Sequence, residues 1–161
     1  MKQTNTSQNP SRRSALQSSA SLGVMSLAAA AGLLPGAAQA QWNKGAFETK
    51  TLAEVVKAFG GATPELSKEV QVSGPDIAEN GAVVPIGAVS NLPNTSMLAI
   101  LVEKNPNILA ASFDVPTGTD ANMSTRVKMG QSSNVYALAK VGDKYFYAVR
   151  EVKVTLGGCG G

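Results

Sequence analysis

Val135-Tyr136-Ala137-Leu138-Ala139-Lys140-Val141-Gly142-Asp143-Lys144-Tyr145-Phe146-Tyr147-Ala148-Val149 holds two apolar runs separated by the turn pair Gly142-Asp143. A two-residue loop that begins with glycine is a hairpin signal, because its backbone twist suits antiparallel neighbours. The reading is a pair of strands over 134–141 and 144–155. Upstream, short runs rich in Val and other apolar residues give further candidate strands at 68–73, 82–89, 96–103, 107–114 and 122–129. Between them stand Ser73-Gly74-Pro75-Asp76, Glu79-Asn80-Gly81 and Asn105-Pro106-Asn107, residue types that favour tight turns. Seven short strands with such punctuation predict a mostly β fold, an antiparallel β-sandwich of immunoglobulin-like type. The Cys-Trp-Cys hallmark of antibody domains is absent, so the expectation concerns architecture alone. For the methionine-rich stretch Met123 to Met129, strand core and partner surface are both open.

Before the strands, one short N-terminal helix is predicted from Thr49 to Phe59. Leu52, Val55, Val56 and Phe59 fall at i, i+3, i+4 and i+7 and form one apolar stripe. Thr51 and Glu54 have the spacing of a capping box, and Gly60-Gly61 supplies a C-terminal stop.

Composition removes several classes of function. The 161 residues suffice for about one domain, and 43% hydrophobic residues can build its core. There is no histidine and one cysteine. Ser-His-Asp and Cys-His catalysis, His-ligated zinc, haem attachment through Cys-x-x-Cys-His and an intrachain disulfide are therefore excluded. The net charge of +3 comes from the first 40 residues, which hold Lys2, Arg12 and Arg13 and no acid. Subtracting these three from 14 leaves 11 basic residues against 11 acidic. A nucleic-acid partner loses its electrostatic basis.

Residues 1–40 read as a cleaved export signal. Arg12-Arg13 precede a mildly apolar, Ala-rich run from Leu22 to Leu34, then Pro35-Gly36 and the small-residue site Ala38-Gln39-Ala40. The run is too short to span a bilayer comfortably, so no membrane anchor is expected. Paired arginines before a weak apolar run resemble a twin-arginine signal, with Ala15 and Gln17 departing from the usual Phe and Lys. The expected location is the periplasm, and Gln41 is the expected first mature residue. The twin-arginine route carries folded proteins, which suits either cofactor loading or a partner carried across already bound. The sequence offers no cofactor site.

The segment 157–161 is Gly157-Gly158-Cys159-Gly160-Gly161, which holds the only thiol and four of the 16 glycines. Free Cys is most often a small buried hydrophobe. Glycines on both sides give it nothing to be buried by, and their backbone freedom predicts a mobile arm. From Thr155 to Cys159 an extended arm reaches roughly 13–14 Å. A thiol without flanking side chains fits a narrow channel. The unperturbed thiol pKa is about 8.5, and no base stands beside it to generate thiolate. Activation would come from a visiting enzyme, so the residues point to a carrier rather than a catalyst. The domain reading is signal 1–40, helix plus sandwich 41–156 and arm 157–161.

Val152-Lys153-Val154-Thr155-Leu156-Gly157-Gly158-Cys159-Gly160-Gly161 closely resembles the ending of the SoxY family, sulfur carriers of bacterial thiosulfate oxidation. Ile77-Ala78-Glu79-Asn80-Gly81-Ala82-Val83-Val84-Pro85-Ile86 resembles that family's internal motif. The resemblance implies a periplasmic protein with an immunoglobulin-like fold and a heterodimer with SoxZ, a β-sandwich subunit without its own signal. It implies that Cys159 holds sulfur intermediates covalently, with Gly157, Gly158, Gly160 and Gly161 as linker. It implies transient contact with the cytochrome SoxXA, which couples thiosulfate to the thiol, with the dimanganese hydrolase SoxB, which releases sulfate, and with a sulfur dehydrogenase.

Three other readings compete on the residues alone. An exported interaction module would use the odd cysteine for an intermolecular disulfide. A ubiquitin-like sulfur carrier also ends in Gly-Gly, but the export signal and the intervening Cys159 argue against it. A carboxylate enzyme would need a readable acidic pair, which the 11 scattered acids do not offer.

Overall fold

The computed structural model describes residues 43–155. In chain order the elements are α1 (Lys44–Phe47), α2 (Leu52–Ala58), β1 (Glu65–Leu66), β2 (Val70–Ser73), β3 (Ile77–Ala78), β4 (Val84–Ser90), β5 (Thr95–Val102), β6 (Leu109–Asp114), β7 (Asn122–Val127), β8 (Ser133–Val141) and β9 (Lys144–Val154). All seven strands expected from sequence are present, their ends shifted by up to two residues, and α1, β1 and β3 are additions.

Gly142 sets the register of the longest hairpin. Its φ of +57° is the left-handed value that glycine accepts without a Cβ penalty, and it closes the loop so that Val141 pairs with Lys144. From there the β8–β9 ladder runs back to Ser133 opposite Val152. Antiparallel pairing continues from β8 to β5 and from β5 to β6. The larger sheet has the order β1-β9-β8-β5-β6, and a smaller one has the order β2-β4-β7.

The two sheets pack face to face as a mostly β sandwich. Leu98, Ile100 and Val102 of β5 and Val135, Ala137 and Ala139 of β8 meet Val70, Val84, Ile86, Ala88 and Val127 of the smaller sheet. Met123 in β7 packs against this core and Met129, two residues past the strand's end, is fully buried in it, so both methionines face the sandwich interior. The opposite side chains of β5, Met97, Ala99 and Leu101, join Leu138 and Tyr145 in a second core under the helices. β5 is thus buried on both faces, which is why its sequence runs apolar without alternation from Met97 to Val102.

The helical cover follows from the expected stripe. Val55 and Val56 are completely buried, and Leu52 and Phe59 pack partly against the same core. The capping box forms as the spacing predicts: the Thr51 hydroxyl accepts from the Glu54 amide at 3.2 Å, and the Glu54 carboxylate accepts from the Thr51 amide at 3.2 Å. α1 is a single turn whose first amides are capped by Asn43, with its Oδ1 accepting from the Ala46 amide at 3.1 Å.

Between β1 and β3 the chain leaves the larger sheet, serves as β2 of the smaller one, and returns. Glu65 and Leu66 lie parallel to Phe146 and Tyr147; Ile77 and Ala78 lie parallel to Lys153 and Val154. These two short pieces are the parallel exceptions in an otherwise antiparallel pattern.

Candidate functional site

The sequence singles out Cys159, with Gly157, Gly158, Gly160 and Gly161 around it, and Arg12 and Arg13 of the signal; all of these lie outside the described residues. What is described is the end of β9, the strand that residues 156–161 follow in the sequence. β9, the longest strand, ends at Val154, and its last residues are held from two sides. On the outer side the Lys153 amide donates to the Asp76 carbonyl at 3.0 Å and the Thr155 amide to the Ala78 carbonyl at 3.1 Å. The Thr155 hydroxyl is shared between the carbonyls of Glu79 at 3.2 Å and Ala78 at 3.5 Å. On the inner side the Val154 amide donates to the Ser132 hydroxyl at 2.9 Å.

The outer clamp is the first part of the motif Ile77 to Ile86. That stretch places β3 beside β9 and then turns sharply, with Asn80 Oδ1 accepting from the Ala82 amide at 2.8 Å. The turn is tied in turn to the end of the smaller sheet, where the Met129 amide donates to the Gly81 carbonyl at 2.7 Å. Asp76, one residue before β3, receives Arg150 Nη2 at 2.6 Å. Both partners are substantially solvent-exposed, so the pair contributes direction more than stability. The two segments that resembled a sulfur carrier in sequence, 77–86 and 152–161, are therefore bonded to each other where both are described.

Strand alternation divides β9 into two faces. Phe146, Ala148, Val152 and Val154 turn into the sandwich. Tyr145, Tyr147, Val149, Glu151 and Lys153 turn to the helix side, where the helices bury only Tyr145 fully. Beyond it the face is bare: Val149 is 46% exposed, Leu66 beside Tyr147 is 69% exposed, and Ile77 beside Lys153 is 56% exposed. A groove of 370 Å³ runs along the edge of this face, lined in part by Leu52, Ile108, Glu103, Tyr136 and Tyr147. The two tyrosine rings are tilted by 54° with centroids 6.1 Å apart. Glu103 accepts from Asn134 Nδ2 at 2.9 Å and from the Tyr136 hydroxyl at 3.4 Å. Burial, and then the neighbouring Glu103 charge, hold the Tyr136 phenol above its usual pKa.

A larger cleft of 620 Å³, lined by Ser90 to Ser96 and Val115 to Asn122, lies at the other end of the sandwich. There β4 ends and β5 begins, the opposite end of the ladders from Val154. Among the described residues no group of three or more acidic or sulfur side chains is placed to hold a metal, and no helix is long and apolar enough to cross a membrane. The clamp residues Asp76, Ala78, Ser132 and Thr155 were not legible as a site. The one sequence signal that leads toward them is the motif at residues 77–86, quoted above for its resemblance.

A solved structure titled as the sulfur carrier protein SoxY from Chlorobium limicola f thiosulfatophilum is similar to this chain, with 34% identity and a TM-score of 0.58 over 63% of this chain and 93% of that one. A neutron structure of a Jonesia denitrificans lytic polysaccharide monooxygenase is similar at 15% identity and a TM-score of 0.34 over 67% of this chain and 75% of that one, a level that carries no argument. No curated protein matches the chain. The family model described as sulfur oxidation protein SoxY matches residues 55–159. Because that match spans more than half of the sequence, from the helix under the larger sheet to the single cysteine, the chain belongs to the SoxY family of sulfur oxidation proteins.

Proposed function

We propose that this protein is a periplasmic carrier that holds thiosulfate-derived sulfur covalently on Cys159 and presents it to the enzymes of thiosulfate oxidation. The observation that carries the reading is the family match, which runs to the thiol itself at residue 159. The clamp around Thr155 supports it: a rigid strand end gives six further residues, 156–161, a fixed origin from which to reach.

In the first step the Cys159 thiolate and the terminal sulfur of thiosulfate form an S–S bond, giving Cys-S-S-SO3⁻ and releasing two electrons to a c-type cytochrome. In the second, water attacks the sulfonate sulfur; Cys-S-S⁻ remains, and sulfate and two protons leave. A thiol suits both steps because it is a soft nucleophile and its S–S bonds form and break reversibly. The chain's contribution is a sulfur atom on an arm, with glycine on both sides so that no side chain meets the wall of an enzyme channel. Arg12 and Arg13 direct folded export, together with a SoxZ-like subunit that has no signal of its own. SoxXA-, SoxB- and sulfur dehydrogenase-like enzymes are transient partners.

The test is the intact mass of the periplasmic protein after exposure to thiosulfate and the oxidising cytochrome, with and without reductant, beside Cys159→Ser. The expected result is a reductant-labile sulfur or sulfonate addition on the peptide containing Cys159, Gln41 as first residue, and no addition and no thiosulfate-dependent turnover in Cys159→Ser. A covalent dimer inert to thiosulfate would instead assign the cysteine to an intermolecular disulfide in an interaction module.

A further inference from the structure

Asn80-Gly81 is the one asparagine–glycine pair in the chain; every other asparagine is followed by a residue that carries a Cβ. Glycine lets the backbone nitrogen after an asparagine approach the side-chain amide carbon, because no Cβ stands in the way. Attack of that nitrogen on that carbon begins spontaneous deamidation, a reaction that needs no enzyme.

The turn supplies what else the reaction needs. Asn80 is exposed, so water reaches its side chain. Its Oδ1 accepts from the Ala82 amide at 2.8 Å, and the Asn80 carbonyl receives the Val83 amide at 3.5 Å. Oδ1 is the atom on which negative charge develops when the amide carbon is attacked. The Ala82 amide is therefore an oxyanion donor already in place. Among the described residues neither the Gly81 amide nor Asn80 Nδ2 has a hydrogen-bond partner. No bond has to be broken before the nucleophile loses its proton or the leaving nitrogen departs.

The pair also sits where a change of backbone has consequences. The carbonyls of Ala78 and Glu79 hold Thr155, and the carbonyl of Gly81 holds the amide of the fully buried Met129. We propose that Asn80 is a modification site, at which spontaneous deamidation loosens the clamp on the end of β9. The Gly81 nitrogen bonds to Cγ of Asn80, the Cγ–Nδ2 bond breaks, and ammonia leaves with the Gly81 amide proton. Water then opens the imide ring at either carbonyl, giving aspartate or isoaspartate, and no electrons are exchanged with any partner. Isoaspartate routes the main chain through the former side chain and lengthens it between Glu79 and Gly81. The accepting carbonyls on its two sides then lose the spacing that matches Thr155 and Met129. This site stands on the turn and the clamp, whatever Cys159 carries.

The experiment incubates the folded protein at mildly alkaline pH and digests it in acid, where the ring closes slowly. Peptide masses and labelling by an isoaspartyl methyltransferase then locate the product. Conversion at Asn80 is expected to be at least about tenfold faster than at any other asparagine. In the converted protein, hydrogen exchange at the Met129 and Thr155 amides is expected to speed up at least about tenfold. Asn80→Ser keeps an oxygen for the Ala82 amide and has no amide to lose, so its exchange should stay at the fresh parent's rate throughout. Asn80→Gln, which closes a larger ring more slowly, replaces it if Asn80→Ser melts early. An Asn80 that stays intact in the folded chain while the urea-unfolded chain converts overturns the site, because the turn then guards the amide. So does conversion spread evenly over the asparagines. Unchanged exchange at Met129 and Thr155 after conversion overturns the loosening.

Discussion

Cys159 stands between Gly158 and Gly160. On the carrier reading proposed above, any residue with a Cβ there adds width where the thiol would pass an enzyme's walls, and a β-branched one also stiffens the backbone. Gly158→Val is therefore expected to slow sulfur transfer by about tenfold or more, while the thermal midpoint stays at the parent's value. Single-turnover transfer from the loaded carrier to the hydrolase, measured beside a melt, separates the two effects. An unchanged transfer rate would show that arm width does not limit access. The glycines on either side single out the thiol in the sequence, and it lies outside the described residues. The clamp at Thr155 was not legible there, since a threonine between Val154 and Leu156 reads simply as strand until the Ala78 and Glu79 carbonyls are seen opposite it.

The elements were legible in proportion to their local signal. Most of the seven longer strands carried Val-rich or other apolar runs between turn residues, β7 with its Asn122-Met123-Ser124-Thr125-Arg126-Val127 least of all, and α2 carried both an apolar stripe and its capping box. β1 and β3 have two residues each, too few to show a period, and they exist through parallel pairing with a distant strand. The close of α2 has a consequence that can be measured. Gly60 takes the left-handed conformation, φ +83°, with open space around it. At Gly61 an added Cβ would run into the Tyr145 ring and lie 2.7 Å from Val56 Cγ1. Tyr145 is 2% exposed and its hydroxyl donates to the Phe59 carbonyl at 2.8 Å, so the ring has nowhere to retreat. Gly61→Ala is expected to cost about 1–3 kcal/mol through overpacking, and Gly60→Ala about 1–2 kcal/mol through backbone conformation alone. Urea titration of both gives the comparison. Adding Tyr145→Leu should recover part of the loss at Gly61 and none at Gly60, because only the first is a contact between side chains.

At the scale of the whole molecule, seven short strands punctuated by turn residues announced a sandwich but not its third layer. The helices lie on the outer face of the larger sheet, and β5 is consequently buried on both sides. This arrangement leaves one end of that face bare beside the strand end that leads to the cysteine, while the larger cleft lies at the far end. On the carrier reading, support and chemistry are separated along the chain. The backbone bonds that fix β9 are made by residues up to Thr155: Lys153 to Asp76, Val154 to Ser132, Thr155 to Ala78. A chain truncated after Leu156 keeps every one of them, and its unfolding free energy is expected to stay within about 0.5 kcal/mol of the parent's. Truncation after Val152 removes all three and frees β3 from its partner, and with it the anchor that Met129 finds at Gly81. Three lost hydrogen bonds at about 1 kcal/mol each, plus exposure around the fully buried Val152, predict a loss of about 3 kcal/mol or more. Denaturant melts of the two truncations decide the matter. Equal, small losses would mean that the clamp only follows the strand. A steep loss confined to the shorter chain would mean that the sandwich ends in a rigid mount and that residues beyond it are free to serve transfer alone.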